Sequence, residues 1–344
     1  MQSQGALLVV SLYMVAVAFG ESDSTWNYIR SDAMFGPSAW GMNFPECALD
    51  RNSPIDIVTE DAVRQEAQRW TLTGWDSPTT WTVYDKNYTM EFGLNAAGSI
   101  RTSGGDLGNY DMIQFHFHWG SSNTAGGEHT LNGAEFPLEV HFVHKRSDFA
   151  TIGAAVESEE DDALAAVGFF FTIQAEDNVE LNTMLAGVNA ARNTGTFETS
   201  GFNLNALDDF TGDAINGNFY RYYGGLTTPG CNQIVKWTVF ETPIGISAAQ
   251  MTTLRSGTPN SYGTEYYRPV QAVGSRLVVL YDTNYQPFRR GGRRRPNRGG
   301  RRNRNRNRNR NGRRNRFNRN RFNRNRFNRN RFNRNRFNRN RFGQ

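Results

Sequence analysis

The chain has 344 residues and carries 39 Lys and Arg against 33 Asp and Glu, so its formal net charge at pH 7 is only +6. This balance hides an uneven distribution, because 25 arginines lie between Arg289 and Arg341 and the first 288 residues hold 14 basic against all 33 acidic side chains. The sequence therefore predicts a strongly acidic domain followed by a strongly basic arm, and it excludes a uniformly basic protein.

The N-terminus, residues 1–20, contains an apolar run that ends in the small residues Ala18 and Gly20. Such a run predicts a secretory signal peptide that is cleaved before Glu21, although the usual positive charge is missing from its start. The run is too short to span a bilayer well, and no later segment is apolar enough to do so. We therefore expect a secreted, extracellular protein with no membrane partner.

All five histidines of the chain lie between residues 116 and 144, and the first two fall on a predicted strand. Residues 113–119 alternate with a period of two, which predicts a β-strand with two different faces. The apolar face holds Ile113, Phe115, Phe117 and Trp119. The opposite face holds Gln114, His116 and His118.

A second alternating run, residues 138–143, follows a segment of turn-forming residues at 120–127. Its apolar face holds Leu138, Val140 and Phe142, and its other face holds Glu139, His141 and Val143. Antiparallel pairing of the two strands would gather His116, His118 and His141 on one surface. Three neutral imidazoles form a catalytic zinc site whose fourth position stays open.

The alternative interpretation is that two histidines on a strand form only a polar face. The third histidine, with a carboxylate two residues before it on the same face, favours a metal site instead. Ligating imidazoles need a partner for their second nitrogen, and Gln114 and Glu139 are placed to supply it. His144 shares the apolar face and His129 lies in or after the loop, so we expect both to be structural.

From Arg289 onward the sequence consists almost entirely of arginine, asparagine, glycine and phenylalanine, and it has no acidic residue. It ends in repeats of Asn-Arg-Asn-Arg-Phe, whose period of five fits neither a helix nor a strand. We therefore predict a disordered tail over residues 289–344. The simplest interpretation is a solvated charged segment, but the length and the regular aromatic spacing favour a partner.

Three partners suit an arginine-rich tail. Arginine binds carboxylate, sulfate and phosphate in a bidentate manner, so an acidic polysaccharide or an acidic matrix protein is the first. Self-association, with the tail of one copy on the acidic domain, is the second. Single-stranded nucleic acid is the third, and secretion argues against it.

Six motifs along residues 26–288 resemble those of the alpha-class carbonic anhydrases. The motifs are Ser53-Pro-Ile-Asp-Ile57, Gln114-Phe-His-Phe-His-Trp-Gly120, Glu128-His-Thr130, Glu139-Val-His-Phe-Val-His144, Leu226-Thr-Thr-Pro229 and Arg268-Pro-Val-Gln271. Each fragment is weak alone, but six in order are specific. The resemblance implies a mainly β (α+β) fold, with one domain at residues 21–288 around a large, twisted, mostly antiparallel sheet with short peripheral helices.

The resemblance also implies the chemistry of the site. His116, His118 and His141 become ligands of Zn²⁺, and Gln114 and Glu139 support them. Thr227 orients a zinc-bound hydroxide that attacks carbon dioxide, and Glu128 accepts the proton of Thr227. The residues that would contact carbon dioxide or bicarbonate are Val143, Ala166, Leu226, Thr228, Val235 and Trp237; the family usually has valine at the position of Ala166.

Besides Ala166, two further positions depart from the family's pattern. Lys86 occupies the place of the histidine that shuttles protons to solvent, and an ammonium group releases its proton slowly at neutral pH. We therefore predict an active enzyme whose turnover is limited by proton transfer, and a lysine that is simply a solvated rim residue has the same kinetic consequence. Tyr266 stands where the family usually has asparagine, which is tolerated if only the backbone carbonyl acts.

Secreted family members carry a disulfide at the positions of Cys47 and Cys231, the two cysteines of this chain. The resemblance therefore implies a bridge between them, which suits an even cysteine count in a secreted protein. The one clear N-glycosylation sequon is Asn87-Tyr88-Thr89. The position of this sequon beside Lys86, near the expected cavity mouth, argues against glycosylation of Asn87.

Shell-matrix (nacrein-like) carbonic anhydrases similarly carry low-complexity repeats on this catalytic domain. This resemblance predicts a secreted zinc enzyme that supplies bicarbonate for biomineralisation, with the basic tail on an acidic matrix. The alternative is a structural extracellular matrix protein that keeps the fold and works mainly through its tail.

Overall fold

The structure is a computed structural model that describes residues 26–199, 204, 215–257 and 262–286. The predicted signal peptide and the predicted tail lie outside these described residues. The domain boundaries at residues 21 and 288 stay predictions for the same reason.

The described chain is built mainly from β-strands. In chain order these are β1 (Asp56–Ile57), β2 (Val63–Glu66), β3 (Trp70–Thr73), β4 (Trp81–Asp85), β5 (Met90–Leu94), β6 (Arg101–Gly104), β7 (Tyr110–Trp119), β8 (Thr130–Leu131), β9 (Leu138–Arg146), β10 (Leu164–Gln174), β11 (Thr196–Glu198), β12 (Phe219–Gly224), β13 (Val235–Ser247) and β14 (Val279–Asp282).

Short helices lie between the strands. They are α1 (Trp40–Asn43), a 3₁₀ turn (Pro45–Ala48), α2 (Ile152–Glu157), α3 (Val179–Thr194) and α4 (Ala248–Arg255). Three of the helices are capped at their N-terminus by a side chain: Thr151 caps α2, Asn178 caps α3, and Ser247 forms a capping box with Gln250 at α4. Such caps satisfy backbone N–H groups that the first turn of a helix leaves without a partner.

Twelve strands form one large sheet in the order β11-β4-β5-β7-β9-β10-β13-β12-β14-β2, with β3 joined to β6 and β6 also paired with β7. Most neighbours are antiparallel, while β10 with β13 and β14 with β2 are parallel. Strands β1 and β8 form a separate parallel pair. The prediction of a mainly β fold around a large, mostly antiparallel sheet with short peripheral helices is confirmed.

The apolar face of the central strands packs into an aromatic core. Phe115 on β7 stacks on Phe92 of β5 at 4.5 Å between ring centroids and contacts Phe142 of β9 at 5.2 Å. Phe169 stacks on Phe240 at 4.6 Å. Burial of these large rings stabilises the positions of the strands. The side chains on the opposite face of β7 and β9 are therefore presented by a rigid sheet.

One residue departs from the predicted alternation of β7. The register with β9 shifts between Met112 and Gln114, so Ile113 is the extra residue of a bulge. Ile113 was predicted to share the apolar face with Phe115, but it lines the same cavity as Gln114 and His116. A strict alternation of faces does not continue through a bulge, because the extra residue moves the side chains before it to the opposite face of the strand.

None of the helices in the described ranges has the length and apolarity that a bilayer crossing requires.

Candidate metal centre and active site

Three histidines converge on one surface of the central sheet. The antiparallel register of β7 and β9 places His116 directly opposite His141, and His118 follows two residues later on β7. The ring centroids of His118 and His141 are 4.7 Å apart, and those of His116 and His118 are 5.0 Å apart. Their candidate ligand nitrogens all lie within 4.8 Å of one another, and all three side chains are buried.

A second contact fixes the orientation of each imidazole. His116 Nδ1 lies 2.9 Å from Gln114 Oε1. His118 Nδ1 lies 2.9 Å from the backbone carbonyl oxygen of Tyr266. His141 Nε2 lies 2.7 Å from a carboxylate oxygen of Glu139. Because these oxygens accept, the named nitrogens donate, and the other nitrogen of each ring keeps its lone pair for a ligand.

Glu139 is a buried carboxylate held between two histidines. Its Oε2 accepts from the backbone N–H groups of Glu128 and His129, each at 2.8 Å. Its Oε1 accepts from His129 Nδ1 and His141 Nε2, each at 2.7 Å. Burial acts to raise the pKa of Glu139, but the charges and hydrogen bonds of His129 and His141 outweigh it and lower the pKa below its ordinary range.

The donor set fits Zn²⁺. His118 Nε2 is buried and has no hydrogen-bond partner among the described residues, although buried polar atoms normally have one. Burial lowers the pKa of His118 to about 3 and also lowers the pKa of His116 and of His141. The rings are therefore neutral at physiological pH, which is the form of imidazole that coordinates zinc.

Glu128 lies beside this cluster and beside Thr227. Its Oε1 accepts from the backbone N–H of Arg268 at 2.9 Å. Its Oε2 lies 3.4 Å from His118 Nε2 and has no hydrogen-bond partner among the described residues. Burial raises the pKa of Glu128 well above its ordinary value, while the Arg268 N–H and the Thr227 side chain act in the opposite direction.

A cavity of about 390 Å³ lies over the histidines, and both His116 and His141 line it. One apolar row of its wall crosses three neighbouring strands, because Val143 on β9 pairs with Ala166 on β10, and Ala166 pairs with Trp237 on β13. The structure brings all of the predicted substrate-contacting residues into this wall: Val143, Ala166, Leu226, Thr228, Val235 and Trp237.

Lys86 lies at the turn between β4 and β5, where its backbone N–H donates to the Thr89 carbonyl at 3.1 Å. Its ammonium is 3.8 Å from Glu91 Oε1 and 4.8 Å from the centre of the Tyr84 ring. Glu91 and Tyr84 line the cavity, whereas Lys86 does not. Lys86 is thus placed one side chain away from the cavity rather than in it.

Asn87 is the exposed residue at the tip of the same turn, with a left-handed φ of 66°. The other sequon residue, Thr89, is buried and donates its hydroxyl to the Phe117 carbonyl at 2.7 Å. Glycosylation of Asn87 stays a prediction.

The predicted disulfide is confirmed. Cys47 and Cys231 are bonded with their Cα atoms 5.0 Å apart, across a sequence separation of 184 residues. Cys231 has a left-handed φ of 46°, and its backbone N–H donates to the Thr228 carbonyl at 3.0 Å. The bridge therefore ties the turn after Thr227 to the 3₁₀ turn that holds Cys47.

Two residues of the site have no motif that would have revealed them. The Tyr222 hydroxyl lies 2.7 Å from His129 Nε2, which places His129 between Tyr222 and Glu139. Burial raises the pKa of Glu91 to about 7, although Lys86 opposes the rise. The position of Glu91 opposite His116 depends on the pairing of β5 with β7, which sequence alternation does not specify.

Comparison with known proteins is consistent with this geometry. The profile of eukaryotic-type carbonic anhydrases matches residues 35–282. Carbonic anhydrase 4 of Rattus norvegicus is 31% identical over 288 residues, which cover 79% of this chain and 89% of that protein. Carbonic anhydrase 7 of Homo sapiens is 30% identical over 263 residues, covering 74% and 96% of the two chains. Carbonic anhydrase 15 of Mus musculus is 29% identical over 274 residues, covering 75% and 83%. The chain belongs to the eukaryotic-type carbonic anhydrase family.

Proposed function

We propose that this carbonic anhydrase hydrates carbon dioxide to bicarbonate with a Zn²⁺ ion held by His116, His118 and His141. The reaction follows from the family. The observation that carries the metal assignment is a cluster of three buried imidazoles. One nitrogen of each ring donates to a fixed acceptor, and the candidate ligand atoms of the three rings all lie within 4.8 Å of one another. The ligand atoms would be Nε2 of His116, Nε2 of His118 and Nδ1 of His141.

When bound, zinc supplies Lewis acidity that lowers the pKa of a water molecule to about 7. The protein keeps the imidazoles neutral and oriented for that task. Gln114, the Tyr266 carbonyl and Glu139 accept from the second nitrogen of each ring, and such partners raise the affinity of a metal site. Glu139 is itself fixed by two backbone N–H groups, so the His141 ring has little freedom to turn.

Thr227 and Glu128 would orient the attacking oxygen. If the Thr227 hydroxyl donates to Glu128, its oxygen can only accept from the attacking water. This directs a lone pair of that water toward carbon dioxide. The contact of the Thr227 side chain with the Glu128 carboxyl supports this assignment.

Carbon dioxide is apolar overall, so an apolar wall beside the histidines suits it. Val143, Ala166, Leu226, Val235 and Trp237 provide that wall. Thr228 would contact the bicarbonate product. Lys86 would be a weak proton acceptor at the exit.

Metal analysis tests the assignment of the ligands directly. We expect the purified protein to bind one Zn²⁺ per chain and to give the visible spectrum of a tetrahedral site after replacement by Co²⁺. His118→Ala should lose at least 10-fold in zinc affinity. His144→Gln removes a histidine that is equally buried but lies outside the cluster, so it should bind zinc as the wild type does. Equal zinc affinity in wild type and His118→Ala would contradict the assignment.

We further propose that the protein is secreted and that its tail binds an acidic extracellular matrix, where the enzyme supplies bicarbonate for mineral growth. The disulfide supports an oxidising compartment. The 25 arginines of the tail support an anionic partner, while secretion disfavours nucleic acid. Self-association through the acidic domain is a further candidate for the tail.

Binding at physiological salt tests the tail. The full chain and a chain ending at Phe288 should be compared on immobilised heparin, an Asp-rich protein and RNA. We expect retention of the full chain on heparin or on the acidic protein, little retention of the shortened chain, and equal hydration activity in both. Equal retention of the two chains would refute a role for the tail. Hydration activity in both chains would also contradict the alternative of a purely structural protein.

A further inference from the structure

Strand β2 ends the large sheet and is exposed along its whole length. Its four residues, Val63–Glu66, are all exposed to solvent, and Val63 keeps 46% of its surface accessible. On one side β2 pairs in parallel with β14. On its other side no strand pairs with it within the described ranges, so this edge presents backbone donors and acceptors.

The hydrogen bonds to β14 show which residues face outward. The Val63 N–H donates to the Val278 carbonyl at 2.9 Å, and the Ala67 N–H donates to the Asp282 carbonyl at 3.1 Å. A strand directs the backbone groups of alternate residues to the same side. The N–H and C=O groups of Arg64 and Glu66 therefore point away from the sheet.

We propose that β2 pairs antiparallel with β2 of a second copy of this chain, about a two-fold axis through Gln65, to give a dimer with one continuous sheet. A two-fold axis requires that the strand be complementary to itself. In this register Arg64 lies opposite Glu66 of the partner subunit, and the reverse pair repeats on the other side of the axis. The outward backbone groups of both residues then form four hydrogen bonds.

Charge selects this register over its neighbours. The neighbouring registers differ by a two-residue shift of the partner strand. They place Arg64 opposite the partner's Arg64, or Glu66 opposite the partner's Glu66. Like charges directly opposite each other destabilise an antiparallel pair, and opposite charges stabilise it. Arg64 already contacts Asp282 at 3.1 Å through one nitrogen, and its guanidinium has further donors for the partner's Glu66.

The same charges have a second interpretation, since charged residues on an edge strand also prevent edge-to-edge pairing. The self-complementary order of Arg64 and Glu66 distinguishes the two, because a protective edge needs charge but no particular register. A four-residue contact is small, so the dimer should be weak and should depend on protein concentration.

A cysteine at the axis traps the dimer. In the proposed register Gln65 faces the partner's Gln65 with Cα atoms about 4.5 Å apart, which suits a disulfide. We expect Gln65→Cys in the full chain to form a covalent dimer under mild oxidation. Phe197→Cys is the matched control, because Phe197 is exposed on β11 at the opposite edge of the sheet. Equal dimer yields from the two variants, or none from Gln65→Cys, would overturn the proposal.

Charge reversal tests the register independently. Sedimentation equilibrium should show that Arg64→Glu and Glu66→Arg each weaken dimerisation at least 10-fold, and that the double variant restores it. Wild-type hydration activity in every variant would show that the fold is intact. A wild-type chain that stays monomeric at millimolar concentration, or a double variant as weak as the single ones, would exclude this dimer.

Discussion

At the scale of single residues, the orientation of a metal-binding histidine depends on which atom of its neighbour accepts the hydrogen bond. His118 is oriented by the backbone carbonyl of Tyr266, and the Tyr266 side chain packs elsewhere, with its ring 5.1 Å from that of Trp119. The family's usual asparagine is therefore not needed at this position for that contact. A side chain can change where only its main chain is used, which sequence comparison alone does not show.

Thr227→Val removes the hydroxyl that we assign to orienting the attacking water and keeps the shape of the side chain. We expect kcat/KM for carbon dioxide hydration to fall about 100-fold, because one fixed hydrogen-bonding group at a reacting oxygen has roughly that effect. Thr228→Val should cost less, and zinc content should not change in either variant. A Thr227→Val enzyme within threefold of the wild type would remove Thr227 from the mechanism.

His144 makes folding stability depend on pH. It is buried, its Nδ1 lies 3.0 Å from the Phe142 carbonyl and its Nε2 lies 3.0 Å from the Thr102 hydroxyl. Burial lowers its pKa to about 4, although hydrogen bonds to backbone carbonyls oppose the shift. Because the unfolded chain takes up this proton near pH 6.5 and the folded chain does not, stability is present above pH 6.5 and is lost as the pH falls toward 4.

His144→Gln isolates this contribution from the other acid-sensitive groups. We expect the difference in unfolding free energy between wild type and variant to shrink by about 3 kcal/mol between pH 7 and pH 4, the equivalent of a pKa shift of this size in a fully buried group. Urea unfolding at both pH values measures it. A difference that is independent of pH would show that His144 titrates normally in the folded protein.

At the scale of elements, the turn between β4 and β5 is where we place the exit of the proton. It places Lys86 beside Glu91 and gives the cavity no histidine among the described residues other than those of the metal cluster. An ammonium group is a poor proton acceptor, so proton release should limit turnover in weak buffer.

Lys86→His should raise kcat about tenfold in weak buffer, since imidazole exchanges protons readily near neutral pH. Added imidazole buffer should accelerate the wild type more than the variant, because the variant already carries an imidazole of its own. Stopped-flow hydration across a buffer series measures both effects. If buffer gives no acceleration and the variant gives no gain, proton release is not the slow step.

The disulfide joins two elements that pack around the site. Removing it in Cys47→Ser/Cys231→Ser should lower the free energy of unfolding by about 4 kcal/mol, because the bridge closes a long loop in the unfolded chain. Urea unfolding with and without reductant measures the loss, and reductant should not change the double variant. A loss below about 1 kcal/mol would mean that packing alone holds the turn after Thr227.

The sequence predicted the histidines of the site better than the residues that surround them. Alternation in β7 and β9 placed three histidines on one surface, because the period of a strand is fixed by its backbone. It failed at Ile113, where a bulge reverses the phase, and it could not identify Tyr222 or Glu91, whose positions depend on strand pairing. Strand order is set by packing of the whole sheet, which local patterns do not contain.

At the scale of the whole molecule, the chain joins an acidic enzyme to a basic tail. Fourteen basic residues against 33 acidic ones in the first 288 residues, and 25 arginines after them, would give the two parts opposite fields at physiological pH. Binding of the tail to an anionic matrix would hold the enzyme where its product is used. We assign catalysis itself to a zinc ion held by the three-histidine cluster, with Thr227 and Glu128 beside it.

Stopped-flow hydration of carbon dioxide by the full chain tests that claim most directly. The rate should be measured on the purified protein, after removal of metal with a chelator, and after addition of one equivalent of Zn²⁺. We predict that activity falls to the uncatalysed rate without metal and returns with zinc, in the wild type and in His144→Gln but not in His118→Ala. Hydration that survives complete metal removal, or a zinc-loaded wild type with no activity, would contradict the account.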